Sequence, residues 1–222
     1  MVLIKNALNP SQIKIEDNNV LLDKSPRVTS EIDRNALEEA LQLREKCGGK
    51  ITTISIGDSS AKDSLIEALA MGVDDAILVN TKCEPLSGLE KAKILSRIIK
   101  EVSPSVDLVL LGEASVDNFS SQTGPRLSVE LSLPYVSYLT KLSCEKKENG
   151  YILIASKSIR GFNIEVEIST PLILSVTREI NRPRYVPFSK ILKVSRQASS
   201  LIKEINVDNV KIDMVGSLKK IG

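Results

Sequence analysis

Short apolar runs separated by amphipathic stretches constrain this chain more than anything else in its sequence. The runs fall at residues 2–5, 51–57, 75–79 and 107–112. Near-continuous apolar character over strand length suits strands buried on both faces. Between them the period lengthens. Ala36, Leu37, Ala40 and Leu41 share one helical face, and Leu65, Ile66 and Leu69 another. Ser30 followed by Asp33, and Ser60 followed by Asp63, read as capping-box variants, each expected to contribute ~1 kcal/mol. Gly48-Gly49 and Met71-Gly72 read as helix stops. A third helix is expected over 89–102, with Pro104 behind it. This β-α-β-α order predicts an α/β fold, a parallel Rossmann-like sheet with helices on both faces.

The pattern changes after Pro134. Residues 151–157, 164–168 and 172–176 read as strands, the first two as a hairpin around 159–163. From 181 the chain holds Pro183 and Pro187 and then a polar, Lys-rich tail, which reads either as an extended arm or as a frayed terminus. The division expected is an α/β domain over 1–180, followed by a loop and arm over 181–222.

Composition narrows the chemistry. The 222 residues, 42% apolar and 26% charged, suit one large domain with a real core. A net charge of +2 gives no electrostatic case for nucleic acid. There is no histidine, which removes Ser-His-Asp and Cys-His catalysis and His-ligated zinc. Cys47, Cys83 and Cys144 form no C-x-x-C pair and read as separate thiols in a reducing interior. The first apolar run is too short for a signal peptide, and no run approaches the ~18 residues of a membrane span. A soluble, cytoplasmic chain without membrane insertion is expected.

Two segments could carry function. Residues 112–125 follow a buried strand and precede an amphipathic helix containing Leu127 and Leu131. Open parallel sheets bind ligands at the carboxyl ends of their strands, and helix N-termini offer free N–H groups to anions. Ala114, Ser115, Ser120 and Ser121 are small enough for backbone to approach a phosphate, and Gln122 and Thr123 add donors. Asp117 suits fixing the loop or meeting a sugar hydroxyl. A phosphate-holding loop and an ordinary capped connection both fit this pattern. The second segment, 181–193, sets arginines, Tyr185 and Phe188 between two prolines in a chain with only 3% aromatics. Arginines and aromatics are enriched at interface hot spots, though a linker tucked onto its own domain fits as well.

At these segments the chain resembles the beta subunits of electron-transfer flavoproteins. The likeness extends to Ile4-Lys5, to Asp33-Arg34-Asn35-Ala36-Leu37-Glu38-Glu39-Ala40-Leu41, and to Ala68-Leu69-Ala70-Met71-Gly72-Val73-Asp74. It is strongest at Gln122-Thr123-Gly124-Pro125 and at Asn181-Arg182-Pro183-Arg184-Tyr185. The resemblance implies an electron carrier without catalytic residues of its own, paired as a heterodimer with an alpha subunit that holds most of the FAD. Its partners would be acyl-CoA or other dehydrogenases and a quinone oxidoreductase. It implies AMP, or a second FAD in electron-bifurcating members, held at Leu3, Ser30, Glu31, Ile32, Asp33, Ile56, Gly112, Ser115, Asp117, Ser120, Ser121, Gln122 and Thr123. The Gln-Thr-Gly loop looks like the AMP-holding members. Partner recognition would fall on Tyr185, Phe188 and Lys193. The chain departs from the family pattern at Ser30-Glu31-Ile32, at Ile56 and at Arg160-Gly161-Phe162. A stand-alone, stress-type adenine-nucleotide module would share the sheet and the loop but would have no use for 181–193.

Overall fold

The expected strand–helix alternation is present and builds one continuous parallel sheet. The computed structural model describes residues 1–16, 19–21, 24–81, 86–147 and 150–207. Cys83 and the tail from 208 lie outside the described residues. The first half of the chain runs β1 (Val2–Ile4), β2 (Asn6–Leu8), β3 (Ile15–Glu16), β4 (Asn19–Val20), β5 (Arg27–Thr29), α1 (Glu31–Cys47), β6 (Thr52–Gly57), α2 (Lys62–Met71) and β7 (Asp75–Asn80). Then come α3 (Gly88–Val102), β8 (Leu108–Gly112), α4 (Thr123–Leu131), β9 (Tyr135–Leu139), β10 (Lys141–Lys147), β11 (Gly150–Ile159), β12 (Phe162–Ser169) and β13 (Leu172–Val176). The chain continues with α5 (Phe188–Arg196), α6 (Ala198–Leu201) and β14 (Ile202–Asn206).

The main sheet has the order β14-β7-β6-β1-β8-β13-β9, and every pairing is parallel. The chain steps outward from β1 through β6 to β7. Helix α3 then carries it back to β8, on the other side of β1. That reversal makes the β1/β8 boundary the switch point, where the loops leaving neighbouring strands diverge and leave a crevice.

Strand side chains alternate between two cores, as a period of two requires. Val2, Ile4, Leu78, Leu110 and Leu174 join Leu37 and Leu41 of α1 and Leu65 of α2. Leu3, Ile54, Ile77, Val109 and Ile173 join Ile94 and Ile98 of α3 and Leu127 of α4. Truncating any of these fully buried leucines to alanine should cost about 2–5 kcal/mol. Strands β10, β11 and β12 form a separate antiparallel sheet, and Leu142 and Leu153 fasten it to the α1 side. The register Ile159↔Phe162 leaves a two-residue turn, Arg160-Gly161, with φ of 50° and 84°. Positive φ at both turn positions matches the right-handed twist of the flanking strands.

Several local expectations are corrected. Ser30 makes no side-chain cap at α1, and Asp33 does not reach back to it. At α2 the device is Asp58, whose carboxylate accepts from Ser60 N at 2.8 Å and starts a short 3-10 turn leading into the helix. The true capping box belongs to α3: Glu90 N donates to Ser87 Oγ at 3.2 Å, and Ser87 N donates to Glu90 Oε2 at 2.7 Å. Cys47 and Cys144, expected to lie apart, are neighbours: α1 and β10 set their Cα atoms 7.0 Å from each other. The described part of the expected arm stays on the domain. Helix α5 packs Ile191 and Val194 into the α1–α2 core, and β14 pairs with β7 from Ile202↔Ala76 to Asn206↔Asn80.

Candidate functional site

The carboxyl ends of β1, β6 and β8 open into a cleft of about 280 Å³. Asp33 organises its floor. After β1 the chain leaves through the β2–β5 ribbon and returns so that Ser30 N donates to Lys5 O at 3.0 Å, which sets the start of α1 against the end of β1. Asp33, in the first turn of α1, then accepts from Lys5 N at 2.8 Å with one oxygen and from Gly112 N at 3.0 Å with the other. One carboxylate thus pins together the two strand ends that flank the switch point. Burial pushes its carboxyl up to about 7, against the pull of the two N–H donors and the Lys5 charge. The approach is close enough to demand glycine at 112, where a Cβ would lie 2.5 Å from Asp33 Oδ1.

Lys5 stands above this floor. Its ammonium donates to Asp117 Oδ1 at 2.7 Å and lies 3.4 Å from Ser115 Oγ. Burial alone would raise the Asp117 carboxyl, but hydrogen bonds from Lys5 and Ser115 hold it below its ordinary value. Asp117 therefore fixes the loop, one of the two roles its position in the sequence suggested. The loop goes on through Phe119 and Ser121 at φ of 47° and 51°, turning toward α4.

Two helix starts meet at the far wall. Helix α4 begins at Thr123 with no side-chain cap, which leaves first-turn N–H groups open to the cleft. Helix α3 begins at Gly88, close enough that a Cβ there would sit 3.2 Å from Gln122 Oε1. Both helix starts, Lys5 and Lys91 thus border one space, with Lys5 held by Asp117 and the start of α3 capped by Glu90. Leu3, Ile54, Ile56, Leu86, Leu95 and Leu111 supply an apolar wall. The arrangement suits an anion joined to a flat apolar ring. Among the described residues no group of acidic or cysteine side chains could hold a metal ion.

Nine of the expected residues line the cleft: Leu3, Asp33, Ile56, Gly112, Ser115, Ser120, Ser121, Gln122 and Thr123. Four do not. Ser30 is wholly buried and its hydroxyl has no partner, Ile32 is buried, Asp117 stands behind Lys5, and Glu31 turns outward to Arg178 at 2.7 Å. Sequence reasoning missed Lys5, Lys91 and Glu113 as lining residues. Lys5 carried one signal, its place directly after an apolar strand. Nothing in the sequence marked Lys91. Burial and the Glu179 charge raise the Glu113 carboxyl.

The second segment lies on another surface. Residues 178–184 run along α1 as a strap. Asn181 Nδ2 donates to Asn35 O at 3.0 Å and to Glu39 Oε2 at 2.9 Å, and Asn35 Nδ2 donates to Asn181 O at 2.9 Å. Arg184 donates to both oxygens of Glu38, at 2.8 and 3.0 Å, and to Glu45 at 2.9 Å. Burial alone would raise Glu38, but Arg184 holds its carboxyl below the ordinary value. Past the strap, Tyr185 and Phe188 are 85% and 69% exposed, too open for aromatics tucked onto their own domain. Lys193, on α5, is exposed as well.

A model of the electron transfer flavoprotein domain matches residues 18–210. The chain is 32% identical over 219 residues to the electron transfer flavoprotein subunit beta of Thermoanaerobacterium thermosaccharolyticum, covering 96% of this chain and 80% of that protein. It is 30% identical over 215 residues to the subunit of the same name from Bacillus subtilis, covering 96% and 80%. It is also 28% identical over 203 residues to the caffeyl-CoA reductase-Etf complex subunit CarD of Acetobacterium woodii, covering 89% and 75%.

Proposed function

The chain belongs to the electron transfer flavoprotein family as a beta-type subunit, and from that premise we propose that it holds a structural AMP and docks the electron donor of a heterodimeric carrier. The carrying observation is the cleft at the β1/β8 switch point, where two helix starts, Lys5 and Lys91 face one space. A phosphate fits against the open first turn of α4 and the ammonium groups, with Ser120, Ser121 and Thr123 as further donors. The apolar wall from Leu3 to Leu111 fits adenine. At about 280 Å³ the cleft is at the small end of ligand pockets, which favours a mononucleotide over a second FAD.

FAD, held mainly by the alpha subunit, would supply the redox chemistry when bound. This chain's residues bind, orient and dock. Asp33 and Gly112 hold the cleft floor, the loop from Glu113 to Gln122 closes over the nucleotide, and Tyr185, Phe188 and Lys193 meet the donor. Dehydrogenases such as acyl-CoA dehydrogenases would deliver the electrons, and a quinone oxidoreductase would take them. No proton-transfer residue is asked of the chain, in keeping with its lack of histidine. The test is to purify the complex with its alpha subunit, denature it and identify the released nucleotide by chromatography. One AMP per complex is expected. A second FAD in its place would overturn the AMP assignment, and no adenine nucleotide beyond the single FAD would overturn the structural role.

A further inference from the structure

We propose that Asn181 and Arg184 are positioning residues that set where Phe188 meets the donor, by clamping the strap of residues 178–184 to a polar stripe on α1. The inference rests on the docking role proposed for Phe188. The stripe is Glu31, Asn35, Glu38, Glu39 and Glu45, spaced at helical intervals along one side of α1. Each member meets the strap. Glu31 takes Arg178, Asn35 and Glu39 take Asn181, and Glu38 and Glu45 take Arg184.

Burial makes this more than surface decoration. Glu38 and Glu39 are each only 4% exposed and Asn35 only 1%. Buried carboxylates and amides are retained where they have partners, and here the strap supplies them. The Arg184 guanidinium meets both oxygens of Glu38, and Arg184 N also donates to Glu38 at 3.0 Å, so both side chain and backbone are fixed. A forked contact of this kind sets orientation as well as distance. Four residues later the chain reaches Phe188, the first residue of α5. Val186 and Ile191 pack into the core on either side of it, but Tyr185 and Phe188 make no comparable burial. Their direction is therefore inherited from the anchors, Arg184 before them and the inner face of α5 behind them. A flexible strap would present the same aromatics over many orientations, and docking would then lose the benefit of an ordered anchor.

The test is a double-mutant cycle in the complex with the alpha subunit, using the acyl-CoA dehydrogenase that reduces the wild-type complex. Phe188→Ala alone should raise KM for the reduced dehydrogenase about thirtyfold. Arg184→Lys, which keeps the charge and loses the fork, and Glu38→Gln should each raise it about tenfold with much smaller changes in kcat. Adding Arg184→Lys to Phe188→Ala should cost little beyond the thirtyfold, because without the ring the strap has nothing left to place. Hydrogen exchange at residues 182–187 should quicken in both strap variants, while chemical reduction by dithionite and nucleotide content stay at wild-type levels. If the two KM effects multiply as independent sites, or Arg184→Lys leaves KM and exchange unchanged, the positioning role is overturned. If Phe188→Ala itself leaves KM unchanged, it is the docking reading that falls.

Discussion

Asp33 carries two consequences at the scale of single residues. Its carboxyl is raised in the folded chain from an ordinary 3.8 to about 7. Between those values the unfolded chain has released the proton and the folded chain still holds it. Stability from this group is therefore full below about 3.8, falls as pH rises toward about 7, and is flat above. Within the window the slope is about 1.4 kcal/mol per pH unit. Urea denaturation across pH 4–8 should show this slope as a difference between the wild-type chain and Asp33→Asn. A difference that does not change with pH would mean the carboxyl titrates normally. The second consequence is steric. Gly112→Ala places a Cβ 2.5 Å from Asp33 Oδ1, against a helix start that cannot retreat. A loss of about 1–3 kcal/mol is expected, together with weaker nucleotide retention. An unchanged denaturation midpoint would show that the two strand ends part more easily than their hydrogen bonds imply.

Among the elements, helix starts separate what was readable from what was not. Ser30/Asp33 and Ser87/Glu90 have similar spacing, and only the second forms a capping box. Asp33 is drawn away by Lys5 N and Gly112 N, partners that lie 28 and 79 residues away in sequence. No local pattern can show a tertiary competitor. Ser87→Ala should accordingly cost about 1 kcal/mol, measured by urea denaturation. Ser30→Ala removes a buried hydroxyl without a partner and should stay within about 0.5 kcal/mol of wild type. The reverse ranking would contradict the geometry of both starts. The doubly buried strands β1, β6, β7 and β8 were legible because burial on both faces leaves a continuous apolar run. Strands β9 and β14 were not. They are sheet edges with polar residues such as Ser137, Lys203 and Glu204, so each lacks the apolar run that marks a central strand.

For the molecule as a whole, composition and periodicity led to a parallel α/β domain without histidine chemistry, and stopped there. The cleft was half legible. Its backbone-lined side, Gly112 and Ser120 to Thr123, follows from the rule that ligands sit at strand carboxyl ends. Lys5 and Lys91 come from a strand and a helix far apart in sequence, and only the crossover through α3 brings them to one space. The strap tells the same story: Asn181 and Arg184 stood out by type, but Glu39 and Glu38, their partners, lie on a helix more than a hundred residues earlier, at sequence separations of 142 and 146. The central claim, that this chain is the nucleotide-holding and docking half of a flavin carrier, is tested most directly by one measurement. The chain is co-expressed with the alpha subunit of its family from the same source, and the absorption spectrum of the purified protein is recorded. A yellow heterodimer with one FAD, bleached by a reduced dehydrogenase, is the expected result. A colourless chain that associates only with itself would contradict the account.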